Sequence, residues 1–207
     1  FKGAVEWLAR KAGLPDPVWS KADQAVRLAA RAREDALTIA AQVFVGWLWS
    51  SPDAQEYARN RGWTLARESA EGSNRDGGTV SRAMLGFSGR GTDAEREEMR
   101  AALIRGGVDL ESPSAISILG MRGNVGLWAA NHGIANLNED WTLGGYIPGL
   151  IGGERIVYPH REGGRVVYIS SRAIADKRHY NLPEAFVGKR RHYYNHEYAP
   201  GEPMVVI

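Results

Sequence analysis

Residues 155–198 read RIVYPHREGGRVVYISSRAIADKRHYNLPEAFVGKRRHYYNHEY. This stretch opens with two runs of β-branched and aromatic residues, 156–158 and 166–169, separated by Glu162-Gly163-Gly164-Arg165. Glycine tolerates the positive φ angles of a tight reversal, and two such runs around a glycine pair are typical of a β-hairpin. The stretch therefore predicts a hairpin over 155–169, and with it a small antiparallel sheet.

Basic and aromatic residues alternate after the hairpin. Between 170 and 192 there are six Lys or Arg residues and two acidic residues, and five aromatic residues lie among or just after them. Cationic groups pair with phosphates and flat rings stack on unpaired bases, so this mixture favours a single-stranded nucleic acid over a duplex. A solvated basic face with tyrosines packed on the hairpin explains the same composition, and both interpretations remain open at this point.

Length and composition bound the other possibilities. A chain of 207 residues forms one domain or two small ones, and its 43% hydrophobic content is enough for a core. No apolar run approaches a membrane span, and the first residues form an amphipathic segment rather than an export signal. Zero cysteines exclude disulfides and cysteine-ligated zinc, and fit a reducing compartment. The net charge of +2 is small, so any nucleic-acid surface must be a local patch.

Helical periodicity dominates the first half of the chain. Helices are predicted over 1–13 and over about 20–50, then from the capping residue Ser51 to position 60, and from Thr92 to about position 106. The next part, 107–153, is rich in Gly and Asn, and only a short helix near 125–130 is predicted there. The fold class predicted is α+β, with a helical N-terminal half packed on a small antiparallel β-sheet.

An ordered series of short motifs resembles the RNA-polymerase core of bacterial-type and phage-type DNA primases, in the subdomain just before the Toprim fold. The motifs are Arg155, Tyr158-Pro159, Arg161, Gly164-Arg165, Ser170-Ser171-Arg172, His179-Tyr180-Asn181, Pro183-Glu184, Gly188-Lys189-Arg190 and Tyr193. A second similarity is Ala54-Gln55-Glu56-Tyr57 followed by Arg61-Gly62-Trp63. Two departures stand out: serines replace the usual glycines before Arg172, and His179 stands where a lysine is expected.

The resemblance implies a domain organisation. Residues 1–17 correspond to the end of an upstream zinc-ribbon-type module with its linker, and 18–207 to the N-terminal subdomain of the primase core, with 107–153 as a candidate insertion. Both ends are expected to be cut from a longer protein, whose Toprim part would follow Ile207. Primer synthesis needs Mg or Mn held by clustered carboxylates, which the family places in the Toprim part, and Zn belongs to the upstream module. No cofactor is therefore expected in this chain, which should be inactive alone.

The resemblance also implies the binding residues and the partners. The residues expected to contact nucleic acid are Arg82, Arg155, Arg161, Arg172, Lys177, Arg178, His179, Tyr180, Asn181, Lys189 and Arg190. The expected partners are a single-stranded DNA template, an RNA primer and a replicative helicase, without any membrane, in the cytoplasm of a bacterium or a phage-infected host. The alternative from another class is a stand-alone single-stranded nucleic-acid binding domain without polymerase activity.

Catalytic and metal-binding patterns are otherwise weak. His192 and His196 are four residues apart and could ligate zinc from one face of a helix, but no third ligand is evident nearby. A metal-dependent nuclease built on this pair is therefore the disfavoured interpretation. No Ser-His-Asp arrangement can be located and no Walker loop occurs, so the expected set of catalytic residues is empty.

Overall fold

Three helices precede the first strand of the described chain: α1 (Lys2–Lys11), α2 (Lys21–Ser50) and α3 (Pro52–Asn60). The structure, a computed structural model, describes residues 2–14, 21–61, 85–162, 164–176 and 178–187. The three predicted N-terminal helices are confirmed. Ser51 caps α3 because its hydroxyl accepts a hydrogen bond from the Ala54 backbone, and Pro52 occupies the first turn, where no N–H is needed.

The chain divides into two compact units, residues 1–32 and residues 33–207, and the boundary between them lies within α2. The first unit contains α1 and the beginning of α2. The second unit contains the rest of α2, α3 and every strand of the described chain. Among the described residues, none of the helices has both the length and the apolar character that crossing a membrane requires.

Six strands are described, in two antiparallel sheets. They are β1 (Gly86–Phe87), β2 (Met121–Arg122), β3 (Tyr146–Ile147), β4 (Arg155–Glu162), β5 (Arg165–Ala173) and β6 (His179–Asn181). The larger sheet has the order β1-β4-β5-β6, and β2 pairs with β3 as a separate two-stranded ribbon. The predicted hairpin is confirmed as β4–β5, with strands longer than the two apolar runs and a register shift between His160 and Arg161.

Five further helices complete the described chain: α4 (Asp93–Arg105), α5 (Pro113–Leu119), α6 (Val125–Asn131), α7 (Glu139–Gly144) and α8 (Glu184–Val187). The predicted capping box of α4 is present, because the Thr92 hydroxyl accepts from the Glu95 N–H while the Glu95 carboxylate accepts from the Thr92 N–H. The short helix predicted near 125–130 is α6.

The second part of α2 packs against the hairpin and β1. A Cβ atom placed on Gly86 would lie 2.6 Å from Cβ of Phe44, so only glycine lets β1 approach the helix this closely. The Thr38 hydroxyl accepts a hydrogen bond from the Val166 N–H at 3.0 Å, and Asp35 forms an ion pair with Arg165 at the start of β5. The α+β fold, with helices of the N-terminal half packed on a small antiparallel sheet, is thus confirmed.

The Gly- and Asn-rich segment 107–153 belongs to the core. Ile118, Ile147 and Leu150 are fully buried. The Leu150 N–H donates to the Ser117 carbonyl at 3.1 Å, which ties the end of the segment to α5. The segment therefore provides part of the core on which β6 and α8 rest.

Candidate nucleic-acid interface

Cross-strand pairing divides the larger sheet into two faces. Residues directly opposite each other on paired strands share a face. Arg172 of β5 is opposite His179 of β6, and Ser170 is opposite both Tyr158 of β4 and Asn181 of β6. These five residues, called the polar face below, therefore lie on one side of the sheet. Exposure is greatest on β6: Tyr158, Ser170 and Arg172 are half-buried, whereas His179 and Asn181 of β6 are exposed.

Residues at the end of α3 act electrostatically on Tyr158 of the polar face. Burial raises the pKa of the Tyr158 phenol and the nearby Tyr57 phenol raises it further, whereas the positive charges of Arg172 and Arg61 oppose this change. Tyr57 of α3 and Arg61, which follows the helix, are thus within electrostatic range of Tyr158. None of the ion pairs in the described part of the chain involves Arg61 or Arg172. Both arginines therefore act on Tyr158 without forming an ion pair to a carboxylate of the described residues.

Small serines shape the surface around Arg172. The Ser171 hydroxyl points to the opposite face and donates to the Tyr180 carbonyl at 3.0 Å, which fastens β6 to β5. The Ser170 hydroxyl lies 2.9 Å from Nε2 of the fully buried His160. Nε of Arg172 is buried and has no hydrogen-bond partner within the described residues. The base of the guanidinium is therefore held inside the protein while the half-buried side chain reaches the surface.

Arg155 and Tyr180 lie on the opposite face and bind within the chain. The Tyr180 hydroxyl donates to the Pro148 carbonyl at 2.8 Å, and burial raises its pKa to about 12. The Arg155 guanidinium lies 4.9 Å from the Tyr180 ring centroid and donates to the Gly152 carbonyl at 3.0 Å. Both side chains bind the segment before β4 to the sheet, on the face opposite Arg172, His179 and Asn181. Their role in contacting nucleic acid stays a prediction.

Two other predicted contacts lie at the ends of the hairpin. Arg161 is half-buried and donates from Nη2 to the Gly164 carbonyl at 3.3 Å, at the β4–β5 turn. Arg178 is exposed just before β6 and forms an ion pair with Asp176, whose pKa is lowered by the Arg178 hydrogen bond. Arg178 thus directly precedes His179 of the polar face, and its charge is partly neutralised by Asp176. Arg161 lies at the far end of the hairpin.

Four predicted contacts lie outside the described residues: Arg82, Lys177, Lys189 and Arg190. The His192 and His196 pair also lies outside them. Within the described part, the structure brings together Arg172, His179 and Asn181 of the predicted set.

The sequence-based set of binding residues did not include Arg61 or Tyr57. Both residues belong to the second motif on which the resemblance to primases rests, the Tyr followed by an Arg-Gly pair. What the sequence could not show is that these two residues act electrostatically on Tyr158 of β4.

The described residues contain no group of three or more His, Cys, Asp or Glu side chains placed to hold a metal ion. The comparisons with known proteins add no identification. No family model, no curated protein and no solved structure matches this chain.

Proposed function

We propose that this chain binds single-stranded nucleic acid across the polar face, as the template-holding part of a DNA primase core. The observation that carries the proposal is the placement of Arg172 opposite His179, and of Ser170 opposite Asn181, with the charge of Arg61 acting on Tyr158 of the same face. This arrangement combines cationic groups for phosphates with an amide that can read a base edge.

The polar face suits a flexible strand. Arg172 and Arg61 contact phosphates, the His179 imidazole offers a donor or acceptor, and the Asn181 amide offers both. A single strand can turn its phosphates and its base edges to the same surface, because its bases are not held in a paired stack. The small side chain of Ser170 leaves room for the backbone of the strand to approach.

The primase assignment rests on the motif order around this face. Arg172, His179 and Asn181 occupy positions where the resemblance implies template contacts, and Arg61 lies in the second motif. In such an enzyme the metal-dependent chemistry belongs to the Toprim part, and the residues of this chain hold and orient the template. This division of labour accounts for a binding surface built from arginines and polar side chains rather than from clustered carboxylates.

Fluorescence anisotropy with a labelled oligonucleotide tests the proposal. Arg172→Ala and Arg61→Ala should each weaken single-strand binding about tenfold, because a hydrogen bond to a charged group contributes about 1.5–3 kcal/mol. A duplex of the same sequence should bind more weakly than the single strand.

The matched control is Arg105→Ala, which removes an exposed arginine from the last turn of α4 and should leave binding unchanged. Melting temperatures of all three variants should stay close to that of the parent chain, since half-exposed arginines contribute under about 1 kcal/mol to folding. No binding at micromolar protein, or an equal loss in all three variants, contradicts the proposal.

A further inference from the structure

A second cationic and aromatic pair lies on the two-stranded ribbon β2–β3. Arg122 and Tyr146 are directly opposite each other, and the guanidinium carbon lies 5.0 Å from the centre of the phenol ring. Both side chains are exposed, and Tyr146 keeps 41% of its surface accessible. The neighbouring residues of the same strands, Met121 and Ile147, pack on the core and form the apolar side of the ribbon.

Close backbone contacts hold the ribbon in place. The Gly123 N–H donates to the Gly145 carbonyl at 2.9 Å, and a Cβ atom on Gly145 would lie 3.0 Å from the Gly123 carbonyl oxygen. At the other end, a Cβ atom on Gly120 would lie 2.8 Å from the Gly149 nitrogen. The two strands are therefore as close as glycine permits at both ends, which fixes the position of the exposed pair.

The ribbon is attached to β6, the strand that carries His179 and Asn181. Tyr180, between these two residues, donates its hydroxyl to the Pro148 carbonyl, one residue beyond β3. Tyr146 is also close enough to Tyr180 to affect its pKa. Because neighbouring residues on a strand point to opposite faces, β6 presents the polar face on one side and contacts the segment after the ribbon on the other.

We propose that Arg122 and Tyr146 form a second nucleic-acid contact, at which one unpaired base stacks on the exposed planar groups. A strand that crosses the polar face and passes around β6, the last strand of the sheet, reaches the side of the protein that carries the ribbon. Guanidinium and phenol planes are the side-chain groups on which unpaired bases stack. This inference rests on the proposed function and assigns a role to part of the segment 107–153.

Oligonucleotides of two lengths test the second contact. A strand of about five nucleotides should occupy only the polar face, and one of about fifteen should reach the ribbon as well. Tyr146→Ala and Arg122→Ala should weaken binding of the longer strand about tenfold, since stacking of one base is of that size, and leave the shorter strand unaffected. Tyr146→Phe, which keeps the ring, should bind both strands like the parent chain.

Leu143→Ala is the control, because Leu143 is 82% exposed in α7, close in sequence to Tyr146. It should bind both strands normally. Photo-cross-linking of the longer strand, substituted with bromodeoxyuridine, should label the peptide that contains Tyr146.

Three outcomes would overturn the inference. Unchanged binding of the longer strand by Arg122→Ala and Tyr146→Ala refutes the second contact and leaves the proposed function intact. An equal loss in Leu143→Ala indicates an apolar surface for a protein partner instead. Absence of binding by either oligonucleotide refutes the proposed function together with the inference.

Discussion

At the residue scale, Arg172 shows how position in a strand determines what a side chain can do. Its neighbour Ser171 points to the other face and bonds to β6, so Arg172 is placed on the polar face opposite His179. The same alternation puts Tyr180 on the opposite face, where its hydroxyl donates a hydrogen bond to the Pro148 carbonyl. Adjacent residues of one motif therefore divide between the polar face and internal support.

Glu154 provides a prediction about backbone strain. Its φ angle is +46°, in the left-handed region that costs a non-glycine residue about 1–2 kcal/mol. Glu154→Gly should be more stable than Glu154→Ala by about 1 kcal/mol, because both variants lose the exposed ion pair with Arg90 and only glycine relieves the strain. Urea unfolding of the two variants measures this difference directly.

Glu139, in the first turn of α7, is the matched control. There the order should reverse, with Ala more stable than Gly, because glycine in a helix costs about 1 kcal/mol relative to alanine. If Ala is also the more stable residue at position 154, the backbone at that position is not strained.

At the element scale, the capping box of α4 predicts a pH dependence. Burial of the Glu95 carboxyl raises its pKa, but hydrogen bonds from Thr92, Arg90 and Gly91 outweigh this effect and leave the pKa lower than usual. A lowered pKa means that the carboxylate stabilises the fold above its unfolded pKa of about 4.3 and that this stabilisation is lost as the pH falls through the folded value. Glu95→Gln should therefore cost about 1 kcal/mol at neutral pH, and the difference from the parent chain should shrink below about pH 4.

Glu97→Gln serves as the control on the same helix. Its carboxylate is exposed and lies 3.9 Å from Arg100, so removing its charge should change the free energy of unfolding by a few tenths of a kcal/mol (~0.3–0.5) at neutral pH. Chemical unfolding of both variants between about pH 3 and pH 7 gives the two curves. A constant difference between Glu95→Gln and the parent chain across this range would show that the carboxylate charge does not stabilise the cap.

Local signals account for the elements that the sequence predicted. Ser51 with Pro52, Thr92 with Glu95, and the glycine pair of the hairpin each specify a start or a reversal within a few residues. Few elements could be predicted in the segment 107–153, because its strands have two residues each and its helices six or seven. Such elements are too short to show a hydrophobic periodicity. These elements are held by contacts between distant residues, such as Ser117 with Leu150.

The polar face was only partly predictable for the same reason. Motif order selected Arg172, His179 and Asn181, which the register places on one face. It also selected Arg155 and Tyr180, because nothing in the local sequence tells which face of the sheet is covered by the segment before β4. The effect of the Arg61 charge on Tyr158 joins residues far apart in the sequence, so no local sequence window contains it.

At the scale of the whole molecule, charge distribution matters more than total charge. With 26 basic and 24 acidic residues, the net charge of +2 gives little general attraction to a polyanion. Under the proposed function, binding should therefore depend on Arg61 and Arg172 rather than on the average potential of the surface. That distinction can be measured through the salt dependence of the affinity, since each neutralised phosphate releases counterions.

For a single strand, the slope of log affinity against log salt is about −0.7 for each phosphate neutralised. If Arg61 and Arg172 each contact one phosphate, the double variant should have a slope smaller in magnitude by about 1.4, measured by anisotropy between about 50 and 200 mM salt. Arg105→Ala lowers the net charge by one, as Arg61→Ala or Arg172→Ala does alone, and should leave the slope at the parent value. A slope that falls by about half as much in the Arg105 variant, which removes one charge rather than two, would mean that the strand responds to the total charge of the molecule. A slope unchanged in the double variant would mean that neither arginine contacts a phosphate, and the polar face would then lack the cationic contacts on which the proposed function depends.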